Sequence, residues 1–249
     1  RSLAKRQSQL VSAIIPMLTS YFFLEVLQGV QDRIAESQFD LLVYSAPTME
    51  EMDTMIDNAL TRGRSAGILL FSSPLDPNRL QRFRQYGNPV VLVDLCHDEF
   101  DSVFSDNEAG GYTATRHLIE RGCKHVALLG ANEASVPSNE RIAGYRRAVE
   151  EAGQAFDPDL VLRNTDAERG KPIDGVFAVS DIQALGARRA IEDRGLRIPD
   201  DIALIGFDDI MISRYVGLST LRQPMKEMGR TAMDTLLLRI EDRERPVAH

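Results

Sequence analysis

The sequence predicts an α/β protein of two similar lobes, each a doubly wound parallel sheet with helices on both faces, and a cleft between them. Three observations carry that expectation. Short apolar runs bounded by turn residues alternate with longer segments of helical period, the pattern of strands buried on both sides by crossover helices. The runs fall into two sets of four that repeat one plan. A length of 249 residues also exceeds what one core commonly serves, so two lobes of about 100 to 150 residues are the natural division. A single eight-stranded sheet is the alternative.

In chain order the first set of strands is "QLVSAIIP" (9–16), "DLLVYSA" (40–46), "AGILLFS" (66–72) and "PVVLVD" (89–94). The second is "HVALLGA" (125–131), "DLVLRN" (159–164), "GVFAVS" (175–180) and "IALIGFD" (202–208). Amphipathic helices are expected at 22–37, 49–63, 107–122, 139–153 and 181–195, the last four ending on glycine, the usual left-handed stop. A final helix, "MKEMGRTAMDTLLLRIEDRE", follows "TLRQP" (220–224) and can return to the first lobe. One interval does not fit. "TDAERGKPID" (165–174) must serve as a parallel crossover, which needs a dozen or more residues and usually a helix, so a helix is expected to be missing between Arg169 and Lys171.

Composition is that of an ordinary globular protein, 43% hydrophobic and 27% charged. A net charge of −8, from 37 acidic and 29 basic residues, argues against this segment gripping a polyanion over a broad face. Cys96 and Cys123 belong to no metal or disulfide pattern. No run approaches ~18 apolar residues, and the basic start "RSLAKRQSQ" has no apolar core behind it, so a cytoplasmic setting without a membrane is expected.

In doubly wound sheets ligands gather outside the carboxyl ends of the strands. That rule selects Leu18 to Phe22, Ser45-Ala46, Ser72-Ser73 and Asp94 in the first lobe, and Asn132 to Arg141, Ser180-Asp181 and Phe207 to Asp209 in the second. No nucleophile elbow, phosphate loop, zinc helix or dinucleotide glycine pattern accompanies them, and the four histidines are scattered. Such a site recognises rather than reacts; no enzyme activity, cofactor or metal is expected. Aspartates accept from hydroxyl or amine groups, Arg141 donates a fork of bonds, and Phe22 offers a face to a ring. Locally, Asp181 also reads as a helix N-cap, Asp208-Asp209 as a cap for the next segment, Arg141 as an ordinary surface residue, and Phe22 as core.

The stretches "SAIIPMLTSYFFLEVLQGV", "SDNEAGGYTATRHLIERGCKHVALLG", "NERIAGYRRAVEEAG", "VFAVSDIQALGARRAIEDRGLRIPDDIALIGFDDI" and "STLRQPMKEMGRTAMDTLL" together resemble the effector-binding region of lactose-repressor-type (LacI/GalR) transcriptional regulators, in register along nearly the whole chain. The resemblance implies the type I periplasmic-binding-protein-like fold, with lobes at 9–105 plus 222–249 and at 106–221. It implies that residues 1–8, "RSLAKRQS", are the tail of a linker from a preceding helix-turn-helix head. The effector would lie between the lobes, with Phe22 lining the cleft, Arg141 gripping the effector, Asp181 binding its polar groups, and Asp208 and Gln223 at the cleft edge. With Thr19, Tyr21, Ser72, Asp94 and Phe207 these form the candidate ligand-binding set.

The implied function is that of a ligand-responsive regulator acting on operator DNA through the head, as a homodimer, with a sugar, sugar phosphate or purine-like effector. Three departures stand out: Ser180 replaces the usual Asn before the aspartate, "GCKHV" replaces a Gly-His-Arg form, and the sequence stops before a last strand usual after "RPVAH". The rival readings are a periplasmic-type sugar-binding protein and an α/β enzyme acting on a sugar or nucleotide.

Overall fold

The computed structural model describes residues 9–61, 65–163 and 172–249. The chain divides into two compact units, the first running to Phe104 and resuming at Pro224–His249, the second spanning Ser105–Gln223.

The first unit holds β1 (Leu10–Ile15), α1 (Tyr21–Ile34), β2 (Asp40–Ser45), α2 (Met49–Thr61), β3 (Ser65–Phe71), α3 (Pro77–Tyr86), β4 (Val90–Val93), β5 (Asp101–Val103) and, from the end of the chain, α8 (Met225–Glu241). Its sheet is parallel, in the order β2-β1-β3-β4-β5. β1, β3 and β4 are buried almost throughout, which is why they read as continuous apolar runs. α3 starts where Asp76 accepts from the Arg79 N–H (2.9 Å) with Pro77 in the first turn, and stops at left-handed Gly87. α8 lies against α1 through glycine: a Cβ on Gly29 would sit 2.0 Å from the Lys226 carbonyl oxygen, and one on Gly229 2.0 Å from that of Val26.

The second unit holds α4 (Asn107–Glu120), β6 (Val126–Leu129), α5 (Val136–Glu151), β7 (Val161–Leu162), β8 (Gly175–Ala178), α6 (Asp181–Asp193), β9 (Ala203–Asp208), α7 (Met211–Tyr215) and β10 (Ser219–Arg222). Its parallel sheet runs β10-β9-β8-β6-β7. Numbered within the unit, that is the order of the first sheet again. The core beneath α4 and α5 gathers Leu118, Leu128, Tyr145, Phe177 and Phe207, and the Tyr145 hydroxyl donates to the Val126 carbonyl (2.8 Å).

Two parallel sheets with flanking helices agree with the predicted class. Each sheet has five strands rather than four, because β5 and β10 are only three and four residues long and carry no apolar run. β7 is two residues, shorter than predicted. β7 and β8 flank β6 on opposite sides, so the connection between them passes across one strand. Most of that connection, including the site of the expected missing helix, lies outside the described residues.

Candidate functional site

In the first unit, Thr19 and Tyr21 are exposed on the segment after β1, while Phe22 is half-buried and packs edge-on against Phe23 (centroids 5.4 Å apart). At the ends of β3 and β4 the structure brings Ser72 and Asp94 together: the Ser72 hydroxyl donates to Asp94 Oδ2 at 2.7 Å. Both residues have left-handed backbones, φ 42° and 59°. Behind them the fully buried Arg79 donates to Asp53 (2.8 Å), Ser73 Oγ (2.7 Å) and the Pro74 carbonyl (2.8 Å), fixing the loop that follows β3.

In the second unit, Arg141 is buried within α5. Its Nε donates to Asn107 Oδ1 (2.9 Å), one Nη donates to the Val179 carbonyl at the end of β8 (2.6 Å), and its guanidinium lies 3.9 Å from the centre of the Phe207 ring. Gly110 leaves room for that ring, since a Cβ there would approach it to 2.7 Å. Asp208 closes β9 with φ 117°, and its Oδ1 accepts from Gln223 Nε2 at 2.7 Å. The next residue, Asp209, is left-handed too. Burial works against its ionisation, but hydrogen bonds and charge from Arg214 and Arg222 outweigh burial and hold its carboxyl below the usual carboxylate range.

Asp181 is placed differently from what its local sequence suggested. Ser180 occupies the cap position of α6, accepting from the Gln183 N–H, and Asp181 is the first helical residue. Its fully buried carboxylate accepts from the Ile210 N–H (2.9 Å) and Ser213 Oγ (2.6 Å) on one oxygen, and from Thr220 Oγ1 (2.5 Å) on the other. It thereby fastens α6 to the start of α7 and to β10. Neither Asp208 nor Asp209 caps α7, whose cap position is Ile210. Sequence reasoning missed Ser213, Thr220 and Asn107; no local pattern marks them, since their partners lie 32, 39 and 34 residues away.

Ser72, Asp94, Asp208 and Asp209 are the four non-glycine residues with positive φ among those described, and all stand at carboxyl ends of strands. Such conformations cost about 1–3 kcal/mol each and gather where function over-determines the backbone. Among the described residues no group of His, Cys, Asp or Glu could hold a metal ion, and no helix is long and apolar enough to cross a membrane.

Residues 115–249 match the model of a periplasmic binding protein-like domain. An HTH-type transcriptional repressor PurR of Vibrio campbellii is 31% identical over 98% of this chain and 78% of its own length. The alignment runs over 262 residues, more than this chain has, so the relative carries residues with no counterpart here. The ribose operon repressor of Haemophilus influenzae is 31% identical over 97% of the chain and 77% of its length. Among solved structures, a transcriptional regulator CelR in complex with cellobiose superposes with a TM-score of 0.87 at 26% identity, covering 98% of this chain and 81% of that one.

Proposed function

Because this chain belongs to the LacI/GalR family of transcriptional regulators, as their effector-binding region, we propose that it binds a small molecule between its two lobes and so controls operator binding by a helix-turn-helix head. The observation that carries this reading is the set of polar residues held in left-handed backbones at the carboxyl edges of both sheets, Ser72 and Asp94 in one and Asp208 in the other. Arg141, held over Phe207 by two hydrogen bonds, adds a donor fixed in place before any guest arrives. Thr19, Tyr21 and Phe22 supply a hydroxyl and aromatic faces, and Asp181 fixes the backbone that carries Asp208.

The proposed effector is a sugar or sugar derivative, with a purine-like compound as the second class. The named sugar of a similar regulator, cellobiose, favours the first. Regulation requires different affinities in two arrangements of the lobes, a coupling of about 1–3 kcal/mol. We further propose a cytoplasmic homodimer without enzyme activity, since two-fold operators call for a two-fold protein. Membership among repressors does not favour the transport-protein reading.

The test is a thermal-shift screen against sugars and purines. A bound effector raises the melting temperature by mass action, and Arg141→Ala abolishes the rise. A panel in which nothing shifts the wild type, or a shift that survives both Arg141→Ala and Asp208→Ala, refutes the assignment.

A further inference from the structure

We infer that two buried amides, Asn107 and Gln223, tie the proposed effector residues Arg141 and Asp208 to the two places where the chain passes from one unit to the other; the inference rests on that reading of Arg141 and Asp208. The chain enters the second unit after Phe104 and leaves it after Gln223. Each passage carries one such amide, and each amide is bonded to one of those two residues.

At the first passage Asn107 opens α4. Its Nδ2 donates to the Ser105 carbonyl (3.2 Å) and to Glu140 Oε2 (3.1 Å), and its Oδ1 accepts from Arg141 Nε. α4 cannot slide independently of Arg141, because a Cβ on Gly111 would stand 2.2 Å from the Arg141 carbonyl oxygen and one on Gly144 2.0 Å from that of Glu108. At the second passage Gln223 follows β10 directly. Its side chain donates to Asp208 Oδ1 and its backbone N–H to the Asp208 carbonyl (3.3 Å).

Both amides are at least 96% buried. A buried polar group left unpaired is costly, so these bonds persist unless something replaces them. At 107 the amide both donates and accepts without charge, whereas at 223 the NH2 donates to Asp208 and the buried Oε1 has no hydrogen-bond partner among the described residues. A carboxylate at 223 would repel Asp208. A guest that accepts a hydrogen bond from Arg141 or donates one to Asp208 therefore changes what Asn107 or Gln223 is offered, and the change falls on the connecting segment itself. That is the differential contact that coupling requires. Asn107 and Gln223 are positioning residues in this scheme.

The experiment is amide hydrogen exchange on the intact protein with no ligand added. Gln223→Glu sets two carboxylates together and is expected to speed exchange across residues 223–228 by about tenfold, with the sheet of the second unit unchanged. Adding Asp208→Asn reverses donor and acceptor, and is expected to return the rate to within about threefold of wild type. If Gln223→Glu does not fold, Gln223→Met removes the donor without adding charge and carries the same expectation. Arg141→Lys, which loses the Nε donor, is expected to loosen 105–110 and leave 223–228 alone. The inference fails if the single variants leave the passages unchanged, if the reversed pair is no better than Gln223→Glu alone, or if Arg141→Lys loosens both passages equally. An unsuccessful sugar and purine screen would remove the effector reading without altering these rates, so the two failures are distinguishable.

Discussion

Replacing Asp181 by Ala tests the placement of this carboxylate most sharply. Three donors converge on a fully buried side chain: the Ile210 N–H, Ser213 Oγ and Thr220 Oγ1. The two hydroxyls can turn toward other acceptors, but the Ile210 N–H cannot. Leaving a buried donor unpaired costs about 1–3 kcal/mol, and hydrogen bonds to a charged acceptor contribute about 1.5–3 kcal/mol each. Allowing for relaxation of the hydroxyls, the loss comes to about 3–5 kcal/mol. At this chain length that lowers the melting temperature by on the order of 10 °C. Asp181→Asn keeps an oxygen for the Ile210 N–H and lets a hydroxyl accept from its NH2, so its loss is expected at about 1–2 kcal/mol. The assay is urea unfolding followed by far-UV circular dichroism, with the slope checked for constancy so that a shifted midpoint reports stability. Exchange at 210–216 in the same variants locates the effect. Should Ala fall within about 1 kcal/mol of wild type, or Asn prove as damaging as Ala, the carboxylate is not the fastening described.

Gly206→Ala presses a Cβ to 2.3 Å from Asp181 Oδ1 and is expected to destabilise by about 2–3 kcal/mol, measured in the same urea series; a neutral result contradicts the packing. Arg79→Met strips the buried guanidinium from Asp53, Ser73 and Pro74 and is expected to lose about 3–5 kcal/mol, with Arg79→Lys intermediate because an ammonium cannot reach all three. Burial opposes ionisation of Asp101, yet the two-point bond to Arg239 and the Ala248 N–H hold its carboxyl below the ordinary range. A folded pKa lower than the unfolded value of about 3.9 stabilises above that pH and is lost as pH falls through the depressed value, so Asp101→Asn is expected to flatten the acid limb of stability below about pH 4. An acid limb as steep in the variant as in wild type refutes that assignment.

The class of fold was legible because parallel strands buried on both faces announce themselves as apolar runs, as "GILLF" in β3 and "VALL" in β6 do. Elements whose stability comes from elsewhere were not. α7 has five residues and leans on Asp181 through Ile210 and Ser213, while β10 sets two half-buried residues between two exposed ones beside β9. α3 was missed although it carries a clear start in Asp76-Pro77 and a clear stop in Gly87, signals the apolar pattern alone did not weigh. At the site, local reading could see that Asp181 stood where a strand gives way to a helix. It could not see three donors arriving from 29 to 39 residues downstream, which is what decides where the side chain points. Gly206 held the usable clue, a small residue inside an apolar strand, where a side chain would collide with that carboxylate.

The two units place strain and rigidity at matching positions. In both sheets the strand order reverses between the first and third strands of the unit, β1 and β3 in one and β6 and β8 in the other, where a parallel sheet leaves its carboxyl edge open. In both, a pair of helices is locked by glycines against backbone oxygens, α1 on α8 and α4 on α5, too closely for any larger residue. Left-handed backbone at Ser72, Asp94, Asp208 and Asp209 is tolerable because something stiff stands behind it: Arg79 with its bonds to Asp53, Ser73, Pro74 and Met49 in the first unit, Asp181 with its three donors in the second. These supports are buried charges, and only replacing a charge together with its partners by well-packed apolar residues could match or exceed the stability they give. Their presence fits a polar edge kept in one geometry before a guest arrives, since an edge that had to be ordered on binding would forfeit that free energy from the affinity.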